Sequence, residues 1–195
     1  MNEFEQDRTF MSAAVADLEN YLLSKELYLP LTAPRGGQFP KGVERLSLGN
    51  VLLCRARLAA RQQDDNANGL DELFQQMDVI QQRWTSAWRA KSLQEYPARL
   101  RMWGDYLQEA LKDRTRFSSF AYQVRLRVIL QLLEPWIEPD LTEFRSLCRA
   151  VDARLLAVTE KGPFVWDSSL QKGFPETNFA FLYRKLPDSD FGGKK

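Results

Sequence analysis

Residues 70–91, LDELFQQMDVIQQRWTSAWRAK, decide the fold class. Leu70, Leu73, Phe74, Met77, Ile80, Trp84, Ala87 and Trp88 recur at three- and four-residue spacings and keep one apolar face for six turns. Gln76, Gln82, Arg83 and Arg89 occupy the other face. Only a helix places residues so spaced on one side.

Outward from this stretch the same period returns. Upstream, Phe10, Ala14, Val15, Leu18, Tyr21 and Leu22 predict a helix over about 7–24. Leu48, Val51, Leu52, Leu58 and Ala59 predict another over 47–63, with Ser47 as its N-cap. Between them, residues 26–46 hold Pro30, Pro34, Gly36, Gly37, Pro40 and Gly42, a loop of unusual length for a compact domain. Leu27, Tyr28, Leu29, Leu31 and Phe39 imply that it packs down. Its Arg35-Gly36-Gly37 tip reads as a turn. Downstream, Pro97 predicts a break at Tyr96-Pro97 and a new helix carrying Tyr96, Leu100, Trp103, Leu107 and Ala110. A strongly apolar helix is expected over 116–133, and another over 140–160 with Leu141, Phe144, Leu147, Cys148, Val151, Leu155 and Val158 on its stripe. The expected architecture is all-α: a bundle of about six helices over 1–162, then an irregular or short-strand arm over 163–195 that packs on the bundle or on a partner. The final residues from Pro187 on are expected to fray.

The chain has 195 residues and no histidine. That excludes Ser-His-Asp and Cys-His catalysis, HExxH zinc sites and Glu-x-x-His di-iron bundles within this chain. Cys54 and Cys148 stand alone on apolar helix faces and read as small hydrophobes. No P-loop or GxGxxG spacing occurs. The run Asp64-Asp65-Asn66-Ala67-Asn68-Gly69 looks like a calcium loop, but Gln75 stands where that loop needs a glutamate, so it reads as a polar turn. No cofactor or metal is expected. Glu134, Glu138, Asp71, Glu72 and Asp78 are the carboxylates available for acid–base work, and Glu134 and Glu138 stand beside a helix end, where charge is normally solvated. An enzyme is therefore not expected. No signal-peptide pattern and no membrane-length apolar run is present, which gives a cytoplasmic expectation.

Net charge is +1, but residues 1–26 carry −4 and residues 79–133 carry +6. The basic stretch holds Arg99, Arg101, Arg114, Arg116, Arg125 and Arg127, interleaved with Trp103, Phe117, Phe120 and Tyr122. Arginines among aromatics can hold phosphates and stack on bases, so these six are the candidate nucleic-acid or anion contacts. The same rings also lie on core stripes. The arm contributes Phe164, Trp166, Phe174, Phe179, Phe181 and Tyr183 as candidate partner contacts. The leading expectation is an interaction or assembly subunit, with a protein partner or self-association as a homodimer. A nucleic-acid-associated protein and a helical regulator with a small-molecule pocket are the alternatives.

Overall fold

The helix expected to run through 70–91 is two helices. In the structure, a computed structural model that describes residues 2–31, 39, 45–61, 69–137 and 142–187, α3 spans Leu70–Arg83 and α4 spans Thr85–Lys112. The junction residue Trp84 leaves the helical basin at φ −114°, ψ 32°. Thr85 explains the bend: its hydroxyl donates to the carbonyls of Gln81 and Gln82, each at 3.0 Å. A threonine that bonds back to the preceding turn bends a helix. The break expected at Pro97 is absent. Pro97 lies inside α4, and the carbonyl it cannot pair belongs to Leu93 on the solvent side. Burial of Tyr96, Leu100 and Trp103 on the other side offsets the lost bond.

The remaining elements follow the apolar spacing. α1 is Glu3–Leu23, N-capped by Asn2. α2 is Leu48–Ala60, N-capped by Ser47. The helix expected over 116–133 is a 3-10 turn, Arg114–Ser119, followed by the short α5, Phe120–Gln123, and then α6, Arg125–Leu133. α7 is Thr142–Val158. α6 is the core of the bundle: Leu126, Val128, Ile129, Leu130 and Leu133 are all buried, and it packs on both α2 and α4. Gly49 makes the α2–α6 approach possible, because a Cβ there would meet Ile129 Cγ2 at 2.3 Å. α1 lies across α2 and α3, and α7 lies outside α4. On α7 the stripe is only partly used, since Cys148 and Leu155 are buried but Leu147 is exposed.

Two short antiparallel ladders tie chain segments together. β1, Leu29–Pro30, pairs with β2, Arg45–Leu46, as Leu29↔Leu46 and Pro30↔Arg45. Phe39 meets Phe10 edge-on at 6.0 Å, so part of the long connection is packed down. β3, Glu160–Lys161, pairs with β4, Arg184–Lys185. The run Phe179–Tyr183 is a 3-10 turn over Ala180–Tyr183 that leads into β4. The arm therefore folds back onto its own bundle. The Arg35-Gly36-Gly37 tip, the 64–68 acidic run, Glu138, Leu141 and the final residues from Asp188 lie outside the described residues. Among the described residues, no helix is long and apolar enough to cross a membrane.

A buried polar stripe on α4 joins these pieces. Lys91, Glu95 and Arg99 follow one another at i, i+4 and i+8, and all three are buried. Lys91 Nζ donates to Ser24 Oγ at 3.3 Å and to the Glu26 carbonyl, holding the end of α1. Glu95 accepts from Ser47 Oγ and from the Gly49 N–H, both at 2.8 Å, at the start of α2. A carboxylate there satisfies an otherwise orphaned N–H and meets the positive end of the helix dipole. Arg99 donates to Glu95 Oε1 at 2.8 Å, to Ser47 Oγ at 2.9 Å and to Asn50 Oδ1 at 3.1 Å.

Candidate functional site

The six candidate arginines separate into three groups. Arg99 is 4% exposed and spent on the polar stripe just described. Arg127 is 8% exposed; its Nε bridges both oxygens of Asp152 at 3.0 and 2.9 Å, and its guanidinium lies 4.5 Å from the centre of the Phe181 ring. Neither lies on a solvated helix edge, where the sequence reading places them. Arg116 is exposed but donates to Glu109 Oε2 at 2.7 Å. Arg101 is exposed on α4. Arg114 and Arg125 each line a larger hollow, and Arg127 lines a small polar one of about 140 Å³ with Glu134 and Asp152.

The six arm rings are likewise sorted by packing. Phe174, Phe179, Phe181 and Tyr183 are buried in the chain's own core, and Phe164 and Trp166 are half-buried against it. Tyr183 Oη donates to the Phe174 carbonyl at 2.9 Å, and Trp166 Nε1 donates to the Ala121 carbonyl at 2.6 Å. The second bond pins the arm to α5. It creates a seam with a hollow on each side, both walled by Ala121 and Val165.

The first hollow measures about 570 Å³. Arg114 enters it from the 3-10 turn, whose start is fixed by Asp113: its Oδ1 accepts from the N–H of Thr115 at 3.0 Å and from the Thr115 hydroxyl at 2.6 Å. These bonds hold the Asp113 carboxyl below its ordinary range. Arg184 and Lys185 enter from β4. Arg184 Nε donates to Thr159 Oγ1 at 3.1 Å, which fixes its guanidinium at the hollow, and Lys185 Nζ lies 3.1 Å from Glu160 at the edge of the ladder. Phe117, Phe120, Val165 and Leu186 supply the apolar wall. No carboxylate occurs among the described residues that line this hollow. Arg114 and Arg184 form no ion pair among the described residues.

The second hollow, a cleft of about 560 Å³, lies between the arm, α1, α2 and α6. Its charged lining is Glu3, Arg57, Arg125 and Asp167, and behind that surface Glu3 and Arg57 join Asp7 and Arg61 in a cluster of two acids and two arginines. Arg61 donates to Ser169 Oγ at 3.0 Å and to Asp7 Oδ2 at 3.2 Å, so it ties the arm to α1. Arg57 Nε lies 3.2 Å from the same Asp7 oxygen. Asp7 is only 1% exposed. Loss of hydration outweighs the two guanidiniums and raises its pKa from 3.8 to about 6. The sign of the consequence is unusual for an acid beside arginines. The folded chain holds this proton more tightly than the unfolded chain, so the contribution of Asp7 is most favourable below pH 3.8 and is lost as pH rises through about 6. At roughly 1.4 kcal/mol per pKa unit, the swing is about 3 kcal/mol. Urea unfolding of wild type and of Asp7→Asn between pH 3 and pH 7 should show a declining wild-type stability relative to the variant across that window; a constant difference would count against it.

Among the described residues, the carboxylates considered for catalysis do not come together as an acid–base pair. Glu134 accepts from Tyr96 Oη at 3.3 Å, Asp78 is paired with Arg55, and Asp71 and Glu72 are exposed on α3. Burial pushes the Cys148 thiol up to about 11 and the Cys54 thiol well above its usual range. Both are therefore thiols, not thiolates, at neutral pH. Sequence reasoning missed Arg184, Lys185, Arg57 and the acids Glu3 and Asp7. Nothing local in the sequence marks them, because they become a site only when the arm docks. The chain matches no protein-family model, no curated protein and no solved structure.

Proposed function

We propose that the protein is a binding protein, without catalytic activity of its own, that recognises a ligand joining an anionic head to an aromatic or apolar body. One observation carries this reading: Arg114, Arg184 and Lys185 converge on a hollow walled by Phe117, Phe120, Val165 and Leu186, with no acid among the described lining residues. Guanidinium groups suit carboxylate and phosphate oxygens, and a low-dielectric wall strengthens their field. The hollow's size is that of a small-molecule site. The reading takes up the small-molecule alternative from the sequence. The strand-binding alternative has less support, because Arg99 and Arg127 are buried and Arg116 is paired. The assembly reading has less support because four of the arm's six rings face inward.

Calorimetric titration of the full chain with 2-naphthyl phosphate tests the proposal. Saturable binding is expected, weakening as salt rises. Arg114→Ala should reduce affinity about tenfold, in line with loss of one charge-assisted hydrogen bond. Absence of binding at low salt, or binding indifferent to Arg114→Ala, would refute it.

A further inference from the structure

The cleft on the far side of the seam differs from the basic hollow in one respect: a carboxylate of the chain itself already sits on its guanidiniums. Glu3 Oε2, from the first turn of α1, accepts from Arg57 Nη2 at 3.2 Å and from Arg61 Nη2 at 3.0 Å. The two acids of the cluster are unlike. Asp7 is enclosed, whereas the Glu3 side chain is 62% exposed. Arg57 and Arg61 are largely buried, so Glu3 is the partner that water can take up when it leaves. Arg57 itself is incompletely satisfied, since its buried Nε makes no aligned hydrogen bond among the described residues although Asp7 Oδ2 is 3.2 Å away.

The rest of the cleft is shaped for a flat body. Leu53, Val165 and Leu170 form an apolar floor. The Trp166 ring is fixed by its bond to the Ala121 carbonyl, and the Tyr122 ring lies 3.9 Å from the Arg125 guanidinium. Rings held in place present faces for stacking at little entropic cost.

We propose that this cleft binds a flat apolar molecule bearing a single carboxylate, and that the ligand's acid group replaces Glu3 on Arg57. The exchange puts one carboxylate in another's place on Arg57 while Glu3 and Asp167 remain beside the cleft as negative charges, so a monoanion is preferred over a dianion. Glu3 then acts as a tethered competitor that lowers the apparent affinity for any ligand of this class. The site uses none of the cations of the basic hollow, so charge variants test the two proposals separately.

Titration of the full chain with 2-naphthoate, and with 2-naphthamide as the uncharged counterpart, is the test. Wild type is expected to show a saturable site for the carboxylate that persists in Arg114→Ala, where the basic hollow is impaired, and no such site for the amide. Glu3→Gln should tighten carboxylate binding about tenfold, because the competitor is gone, and Arg57→Met should weaken it by a similar factor or more. Glu3→Gln alters only an exposed side chain, so its result does not depend on how Arg57→Met folds. Arg114→Ala should leave this binding unchanged. Unchanged or weaker binding in Glu3→Gln would overturn the proposal, as would failure of both wild type and Glu3→Gln to saturate. Loss of binding in Arg114→Ala would place the probe in the basic hollow and overturn it equally.

Discussion

Arg99→Met is expected to cost about 3–5 kcal/mol of folding stability, the range for breaking a buried ion pair by removing one partner. Three physical facts combine at this position. Glu95 is fully buried, so its charge has almost no water to fall back on. Arg99 supplies its only ion pair among the described residues, at 2.7 Å, with Lys91 on the same stripe acting from farther off. The Ser47 hydroxyl and Asn50 Oδ1 lose the Arg99 donor as well. For a chain of this length such a loss corresponds to a melting temperature lower by about 10 °C or more. Urea unfolding followed by far-ultraviolet circular dichroism measures it. The double variant Glu95→Gln/Arg99→Met should be less damaged than the sum of the two single changes, because removing both charges removes the uncompensated one. A loss below about 1 kcal/mol for Arg99→Met, or strict additivity in the cycle, would show that the pair is not what holds α2 to α4.

The same stripe shows where sequence reading succeeds and where it stops. Apolar spacing located α1, α2 and α7 within a few residues, because burial of a helix face leaves a periodic trace. It missed the junction at Trp84, where the deciding interaction is one Thr85 hydroxyl on two carbonyls. It placed a break at Pro97, because the rule for proline is local and the packing that overrides it is not. Charged residues were read as solvated, since burying a charge is costly. Lys91, Glu95 and Arg99 escape that cost by satisfying helix ends and one another, an arrangement visible only after α1, α2 and α4 meet. The candidate hollows depend on long-range closure in the same way. Arg114, with Phe117 and Phe120, was singled out from its segment, but the other half of the basic hollow comes from Arg184 and Lys185, some seventy residues away.

Deletion of residues 163–195 is expected to leave a chain that aggregates or unfolds, because the arm is part of the core. Phe174 and Leu182 are fully buried, and Leu170, Phe179, Phe181 and Tyr183 nearly so. The fit is close: a Cβ on Gly173 would come within 2.5 Å of the Ala60 Cβ and 3.2 Å of its Cα, so the arm's 3-10 turn lies directly on α2. Phe174→Ala alone removes a large buried ring and should cost about 3–5 kcal/mol. The deletion removes that ring and its neighbours together, along with the Arg61–Ser169 bond and the β3–β4 ladder. It also uncovers the apolar surface they protect, a recognised cause of association. Light scattering and thermal melts of the full-length chain, the deletion and Phe174→Ala distinguish two roles for the arm. If the arm is core, the deletion loses its cooperative melt or scatters as large particles, and Phe174→Ala melts well below wild type. If it is an accessory docking segment, the shortened chain remains monomeric and melts within a few degrees of full length. The second outcome would dissolve both hollows as well, because Val165 walls each of them and can do so only while the arm is seated on α5.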